Sequence, residues 1–405
     1  MKSAMEAPGA PKLKRYMLAV SRVRDTMRPV MGFTLPCLAC LLPLTIGHAA
    51  IVAVPSFPYL RGVSNNGVAV GGRFRWDSVN GNTDLGVLPG AGPNNPTDAF
   101  AISADSSVIA GASSSHAFVW TSSAGIQPLP TSTVGDSYAA AISSDGRIVA
   151  GTVTRATDST KYAAIWSDGA ETRELPWETT GDALSNNGQW LGGTRIIGRE
   201  VGAPAESAYI WSESTGLKTI GFPPFPFSSK YVVSGVADDG EVAIGTFFSM
   251  AGVQGFPFRW TESEGLKSLS LTAGYASGMN SDGSTVVGTL YNSGAFVWTE
   301  KEGTRSLREV LENDYSFDLT GWSLDYASGI SADGKTIIGY GSLDGQATSF
   351  VATIPEPSSV LLAALGVSVQ FGRTRRRKCA TASTDDFHDP PILKSADDRS
   401  PAPGE

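Results

Sequence analysis

Short apolar runs, separated by glycine and by Asp or Asn, dominate the middle of the chain. One element recurs between Gly62 and Gly339, with the pattern Gly/Ala-apolar-Ser-x-Asp-Gly-x-x-apolar-apolar-Gly. Asn-Gly and Asp-Gly supply the positive φ angles of a two-residue turn, so each copy predicts a tight β-hairpin between two short strands. Seven copies are present, about 40 residues apart with insertions, and they begin at Gly62, Ala101, Ala141, Ala183, Gly235, Gly278 and Gly329.

A second element, aromatic-x-Trp or a close variant, follows each hairpin. Six copies end in tryptophan, at Trp76, Trp120, Trp166, Trp211, Trp260 and Trp298, and the seventh reads Phe350-Val351-Ala352. A Gly- or Asp-containing turn and a further short strand come next, which makes four strands per unit. Four short strands repeated seven times predict a seven-bladed, all-β propeller, with the Trp residues packed between blades.

The last unit stops after its third strand. Ile51–Val54 is apolar and can supply the missing outer strand, which would latch the first part of the chain into the last blade and close the ring. An open solenoid of stacked hairpins is the alternative.

The hairpin and aromatic-x-Trp patterns together resemble the HAF family of bacterial extracellular repeats, over about Gly62 to Ala352. The resemblance implies export and a β-rich repeat fold. It offers no catalytic motif to transfer.

The first 49 residues have the organisation of a secretory signal. A basic segment precedes an uncharged apolar run from Val30 to Ile46, and Gly47-His48-Ala49 forms a small-x-small site just before the expected cut. The run contains two prolines and is shorter than a membrane span, which counts against the alternative of a membrane anchor.

The other end of the chain combines three parts in order. Residues Pro355, Glu356 and Pro357 precede a short apolar segment, and an arginine cluster that includes Arg375, Arg376 and Arg377 follows it. This order resembles the PEP-CTERM sorting signal, which implies an exosortase as partner and transient anchoring of this segment in the inner membrane as a transmembrane helix. The arginines would stay in the cytoplasm, leaving the propeller in the envelope or outside the cell. A short buried helix with a disordered tail is the alternative.

The predicted domains are therefore a signal peptide (1–49), a propeller (50–353), the sorting signal with its membrane segment (354–378) and a disordered polar tail (379–405).

Net charge limits the classes of partner that this protein can bind. Between Ile51 and Ile354, 30 Asp and Glu face 17 Lys and Arg, a net charge of 17 − 30 = −13, so nucleic acids are excluded as partners. Neutral exopolysaccharide or surface proteins fit this charge better.

No cysteine lies in the propeller, and His116 is its one histidine, so we expect no metal, no cofactor and no nucleophilic centre. The hairpin Asp residues lack calcium-loop spacing and suit turns.

The insertions fall on one face of the expected propeller, in the connections between the second and third strands and between blades. Variable loops on a rigid frame commonly form binding surfaces. The richest runs from Glu309 to Tyr326, and its candidate ligand-binding residues are Tyr315, Phe317, Asp318, Trp322, Asp325 and Tyr326. The alternative is that this loop folds back over the ring, with its aromatics buried and its acids solvated.

Two functional hypotheses follow. The first is an exported, non-catalytic envelope or matrix protein that binds surface polymer or protein, with no catalytic residue. The alternative is a carbohydrate-active enzyme, a glycoside hydrolase or lyase, that uses carboxylates of the variable face such as Asp314, Asp318 and Asp325.

Overall fold

The structure is a computed structural model that describes residues 50–55, 59–92, 94–131, 135–196, 206–220, 228–249 and 254–354. The proposed signal peptide, sorting signal and tail lie outside the described residues. Among the residues described, no helix is long and apolar enough to cross a membrane.

The described chain forms 28 strands and one short helix, arranged as seven four-stranded antiparallel sheets. Strand β1 spans Ala50–Val54. Blade 1 contains β2 (Gly62–Val63), β3 (Ala69–Gly71), β4 (Phe74–Asp77) and β5 (Gly81–Asp84). Blade 2 contains β6 (Thr97–Ile102), β7 (Val108–Ser113), β8 (His116–Thr121) and β9 (Gly125–Pro128). Blade 3 contains β10 (Ser137–Ile142), β11 (Ile148–Thr154), β12 (Lys161–Ser167) and β13 (Ala170–Glu174).

Blade 4 contains β14 (Ala183–Leu184), β15 (Leu191–Ile196), β16 (Glu206–Ser212) and β17 (Gly216–Thr219). Blade 5 contains β18 (Ser228–Val236), β19 (Val242–Ser249), β20 (Gly255–Thr261) and β21 (Gly265–Ser268). Blade 6 contains β22 (Gly274–Met279), β23 (Thr285–Leu290), β24 (Gly294–Thr299) and β25 (Gly303–Ser306). Helix α1 (Leu307–Asn313) precedes blade 7, which contains β26 (Trp322–Ile330), β27 (Thr336–Leu343) and β28 (Gln346–Thr353).

The ring closes as the sequence predicts, so the fold is a seven-bladed β-propeller. Strand β1 pairs with β28, with Ala50 opposite Thr353 and Val54 opposite Ser349, and becomes the outer strand of blade 7. The first strands of neighbouring blades contact one another, including those of blades 7 and 1, and so surround a central channel. We call these seven first strands the inner strands.

The repeated aromatic residues form the core between blades. Trp166 is fully buried, and Trp76, Trp211 and Trp260 are nearly so. Trp120 and Trp298 are partly buried and pack against the core clusters of their blades. The prediction that these residues are core is confirmed. At 25 cal/mol per Å² of apolar surface, each buried aromatic side chain contributes several kcal/mol before entropy is counted.

The repeated hairpins differ in one detail from the sequence-based expectation. The loop between paired strand ends has four residues in six copies, as in Ser143 N–H donating to Ile148 O at 2.8 Å, and three residues in the first copy. In each of these loops, one residue has a positive φ: the turn glycine, or Ser106 in the second copy. The motif serine explains the larger loop: Ser143 Oγ donates to Asp145 Oδ1 at 2.6 Å and accepts from Ile148 N–H at 3.0 Å.

These hairpins form a hydrogen-bonded belt around one end of the channel. Five links run between backbones, from each hairpin to the next blade, at 2.7–3.0 Å, and start at Asn65, Ala104, Ser144, Asp238 and Ser281. Two side-chain links complete the circle: Asn187 N–H donates to Asp238 Oδ1, and Asp333 N–H donates to Asn65 Oδ1. The repeated hairpin motif is therefore structural, and we call this end the belt face.

Long connections lie at the opposite end, which we call the mouth face. The β19–β20 connection is there, and the passage from blade 6 to blade 7 starts there. Its helix α1 packs against the core of blades 6 and 7, and Asp314 and Tyr315 after it line a cavity with Ser284 and Gly334 of the belt hairpins. Because the inner strands start at the mouth face and run towards the belt, their first residues surround the entrance of the channel.

Candidate functional site in the central channel

Each inner strand carries a β-bulge immediately before the Gly or Ala that begins the repeated motif. In blades 2, 3, 5, 6 and 7 the register shifts across this position. Blade 4 shows the same geometry, because Asp182 N–H donates to Gly192 O at 2.9 Å while Ala183 also pairs with Gly192. A bulge re-aims one side chain relative to its neighbours.

A glycine of the second strand makes room for each bulge. In blade 4 a Cβ at Gly193 would overlap the carbonyl oxygen of Thr180, on the segment that leads into the inner strand. The equivalent glycines of the other six blades stand against the equivalent carbonyl oxygens. The final Gly of the repeated motif is thus explained by close backbone approach.

The bulged residues form one layer of the channel wall, which we call the bulge layer. All seven line a cavity of about 390 Å³. Unlike the rest of the motif, their chemistry varies from blade to blade: Arg61, Phe100, Ala140, Asp182, Ser234, Ser277 and Ser328.

Above this layer the channel widens into a tyrosine-lined mouth of about 670 Å³. Its tyrosines are Tyr59, Tyr138, Tyr275, Tyr326 and Tyr340, and Arg61 and Phe100 extend into it from below. The rings of Tyr59 and Tyr340 have centroids 5.5 Å apart, and those of Tyr326 and Tyr340 are 6.4 Å apart. Tyr59 and Tyr326 are 62% and 49% exposed, so their faces are available to a ligand.

Arg61 provides the positive charge of the site. Its Nη2 lies 3.1 Å from Asp98 Oδ2, and its guanidinium stands over the ring of Phe100, 5.2 Å from the centroid. The Arg61 side chain is 50% exposed. A guanidinium carries five donors in a planar fork, so an arginine held this way retains capacity for a ligand carboxylate.

Asp182 provides the negative charge. Its Oδ2 accepts a hydrogen bond from Thr180 Oγ1 at 2.6 Å. Burial in the channel wall raises the pKa of Asp182 to about 6, and the Thr180 hydrogen bond and the nearby Lys230 and Lys161 only partly oppose this. Glu206 pushes the pKa further up. A carboxyl group with such a pKa exchanges protons near neutrality, as a catalytic acid or base must.

Two phenols lie close to Asp182. Tyr209 is buried, donates to Thr180 O at 2.7 Å, and has a raised pKa because of burial and the Asp182 charge. Burial, together with Asp182, also raises the pKa of Tyr138, which lines the mouth. Tyr138 therefore stays protonated and can donate a hydrogen bond or a proton to a ligand.

The six residues predicted to bind ligand do not come together as one site. Tyr326 lines the mouth, and Asp325 beside it is exposed. Phe317 is buried in the core, where Tyr315 and Trp322 pack against the same cluster. Asp318 is exposed and accepts hydrogen bonds from Thr320, which lower its pKa.

Asp314, which the enzyme hypothesis also named, is an exposed ion-pair partner of Arg305 at 2.6 Å. Most aromatics of this loop are therefore covered by the core of blades 6 and 7, and its aspartates are exposed.

Other expectations concern single residues. His116 is the exposed first residue of β8, and its Nδ1 lies 2.8 Å from Ser114 O, as suits an ordinary strand residue. Within the described ranges, no group of three or more His, Cys, Asp or Glu could hold a metal ion.

Sequence reasoning missed Arg61, Asp182 and the mouth tyrosines other than Tyr326. A signal was nevertheless present. When the seven copies are aligned, the position just before the motif holds four small residues, one phenylalanine (Phe100) and two opposite charges, at Arg61 and Asp182.

The fold is similar to several solved propellers. Oligogalacturonate lyase in complex with manganese is 13% identical, with a TM-score of 0.48 over 76% of this chain and 92% of that one. Oligogalacturonate lyase from Vibrio parahaemolyticus is 11% identical, with a TM-score of 0.45 over 76% and 92%. A protein described as putative TolB, from Agrobacterium tumefaciens, is 14% identical, with a TM-score of 0.40 over 63% and 88%.

No family model matches the chain, and the comparison with curated proteins finds no match. The hypothesis of a non-catalytic envelope or matrix protein is corrected by the structural neighbours, which include two lyases and fit the carbohydrate-active alternative better. At these identities the likeness concerns the fold, so the chemistry must be argued from this chain's own residues.

Proposed function

We propose that this protein is a carbohydrate-active enzyme of the lyase type, which cleaves a uronate-containing glycan in the channel. The observation that carries the proposal is that two side chains of opposite charge, Arg61 and Asp182, line the same cavity. The tyrosines of the mouth lie above this cavity. They come from blades 1 and 4, which lie across the axis from each other in a ring of seven.

The mouth suits sugar rings. Tyrosines present a flat apolar face for stacking and a hydroxyl for hydrogen bonds, and five of them surround the entrance. A bound sugar unit would extend from this aromatic layer into the bulge layer below it.

The charged residues suit elimination. Arg61 would hold the uronate carboxylate and stabilise the negative charge that develops on it. Asp182, ionised above pH 6, would take the proton from the carbon next to that carboxylate. The C4–O bond then breaks as the C4–C5 double bond forms, and the leaving oxygen takes a proton from the Tyr138 hydroxyl or from water.

Hydrolysis by two carboxylates fits less well. That chemistry requires two acidic side chains that face each other across the substrate. Among the described residues that line the two cavities, Asp182 is the one carboxylate. The acidic surface of the propeller also explains why a guanidinium is needed in the channel, since long-range attraction will not bring a uronate in.

The test uses the purified chain and a panel of uronate and neutral oligosaccharides. Absorbance of the unsaturated uronide and the number of new reducing ends are measured together. Equal yields of both from a uronate substrate support elimination, and reducing ends without unsaturation contradict it. Asp182→Asn should lower kcat by about 10²- to 10⁴-fold while the Kd for the oligosaccharide stays similar.

The matched control is Asp239→Asn, at a hairpin turn on the belt face where other copies carry Asn66 and Asn187. It removes a carboxylate of the same type and should leave kcat unchanged. Equal kcat in Asp182→Asn and Asp239→Asn would contradict the assignment of Asp182.

We also propose that the propeller is exported and sorted at its C-terminal segment. Support comes from the ends of the described fold: β1 begins at Ala50, just after the expected signal-peptide cut, and β28 ends at Thr353, just before Pro355. Ala50 and Thr353 face each other at the belt face. Attachment there would leave the mouth open to substrate. Mass spectrometry of the surface protein tests this, because peptides from Cys379 onward should be missing and their recovery would contradict the sorting step.

A further inference from the structure

We infer that this enzyme attacks the end of its substrate chain and not internal bonds. The inference rests on the proposed function, and it follows from the depth of Asp182 in a closed ring.

Asp182 lies below the entrance. Thr180, two residues earlier, is at the level of the mouth tyrosines Tyr138 and Tyr275, because all three carbonyl oxygens meet the equivalent second-strand glycines. With a strand rise of about 3.3 Å per residue, Asp182 stands about 5–7 Å further along the axis, towards the belt. It lines the deeper cavity together with the other six bulged residues.

Among the described residues, the ring of sheets around Asp182 is continuous. The inner strands contact one another around the axis, and the pairing of β1 with β28 removes the gap that an open array would leave. Close contact is visible between blades 6 and 7, where a Cβ at Gly278 would lie 3.4 Å from Gly329 Cα. A polymer therefore cannot enter from the side.

Below the bulge layer the channel is lined by main chain and small side chains. The next residue of each inner strand is Gly or Ala in every blade, and the belt of linked hairpins follows. A polymer segment whose two ends both extend into solvent would need to enter and leave through the same mouth, folded double, or be threaded end first to the cavity of about 350 Å³ that the belt hairpins line. A chain end enters as a single strand, so terminal units reach Asp182 far more readily.

The experiment compares uronate polymers of the same composition and different length. At equal mass and below saturation, a fourfold longer polymer has a quarter of the ends, so attack at the ends predicts an initial rate about fourfold lower. Products should be small and uniform from the first time point. Equal rates per mass, with products of random size, would overturn the inference.

This test separates the two proposals. Absence of unsaturated product from every uronate would contradict the proposed function, whereas unsaturated product from random internal cleavage contradicts only the attack at the ends. Binding of Asp182→Asn gives a second measurement: at saturation it should bind in proportion to the number of chain ends, and binding in proportion to polymer mass would contradict the inference.

Discussion

Two nearby positions of each blade, the bulged residue and the motif serine, differ in how much their residue type varies among the seven copies. The motif serine lies three positions after the bulged residue, as in Ala140 and Ser143. The motif position is serine in five of the seven copies and every one of those serines is nearly fully buried, whereas the bulged position carries five different residue types.

The difference follows from what each position contacts. The motif serine satisfies its own hairpin, which every blade must form. The bulged residue contacts the channel space, where no backbone partner dictates its chemistry. In a ring of equivalent units, the repeated residues therefore build the frame, and an asymmetric substrate is recognised where the units differ.

The largest effect on stability should come from the frame. Gly193→Ala places a Cβ against the Thr180 carbonyl oxygen and the Tyr209 ring, so the blade must shift. We expect the free energy of unfolding to fall by about 3 kcal/mol. Gly92→Ala is the control, because its Cβ would meet only Asn95 Oδ1 at 3.4 Å, and it should change stability by a few tenths. Urea titration checks both, and equal midpoints would contradict the role given to Gly193.

Removal of the Asp182 charge by Asp182→Asn should raise the free energy of unfolding. The pKa of Asp182 is about 6 in the folded protein against 3.8 for the free group, so folding favours its neutral form. The wild-type protein therefore loses stability as pH rises from about 4 to 6, and Asp182→Asn does not. The variant should be more stable by about 3 kcal/mol at pH 8 and nearly equal at pH 4. A variant that is less stable at pH 8 would show that the charge is well compensated.

A smaller frame effect concerns the hairpin serine. Ser143→Ala leaves the Ile148 N–H without its side-chain acceptor and should cost about 1 kcal/mol. Blade 5 carries Ala237 at this position, so Ala237→Ser is the reciprocal change and should raise stability by a smaller amount. Thermal unfolding measures both, and destabilisation by Ala237→Ser would mean that blade 5 has repacked around the alanine.

The fold could be predicted because its signals repeat. The hairpin and aromatic-x-Trp elements identified four strands per blade, and the missing strand after Val351 predicted the pairing of Ile51–Val54 with the last blade, which is confirmed. The site could not be found in the same way. Residues on the Glu309–Tyr326 loop attracted attention because they are dense in sequence, but Phe317 and Trp322 are there to cover the core. Arg61 and Asp182 lie about 120 residues apart in the chain, and they line the same cavity only because the blades form a ring.

The smallest predicted effect sharpens the role of Asp182. For a base with a pKa of about 6, kcat/KM should fall as pH drops below 6, whereas a general acid would lose activity above 6. Glu206 raises this pKa and Lys230 lowers it, so Glu206→Gln should move the midpoint down and Lys230→Met should move it up, each by about half a pH unit. Lys161 faces the same carboxylate and remains in both variants. The Lys230 shift should shrink in high salt, since Lys230 is exposed. Shifts of the midpoint in the same direction for both variants would exclude direct electrostatic action on Asp182. If neither variant moves the midpoint of the kcat/KM profile, the titrating group is not Asp182.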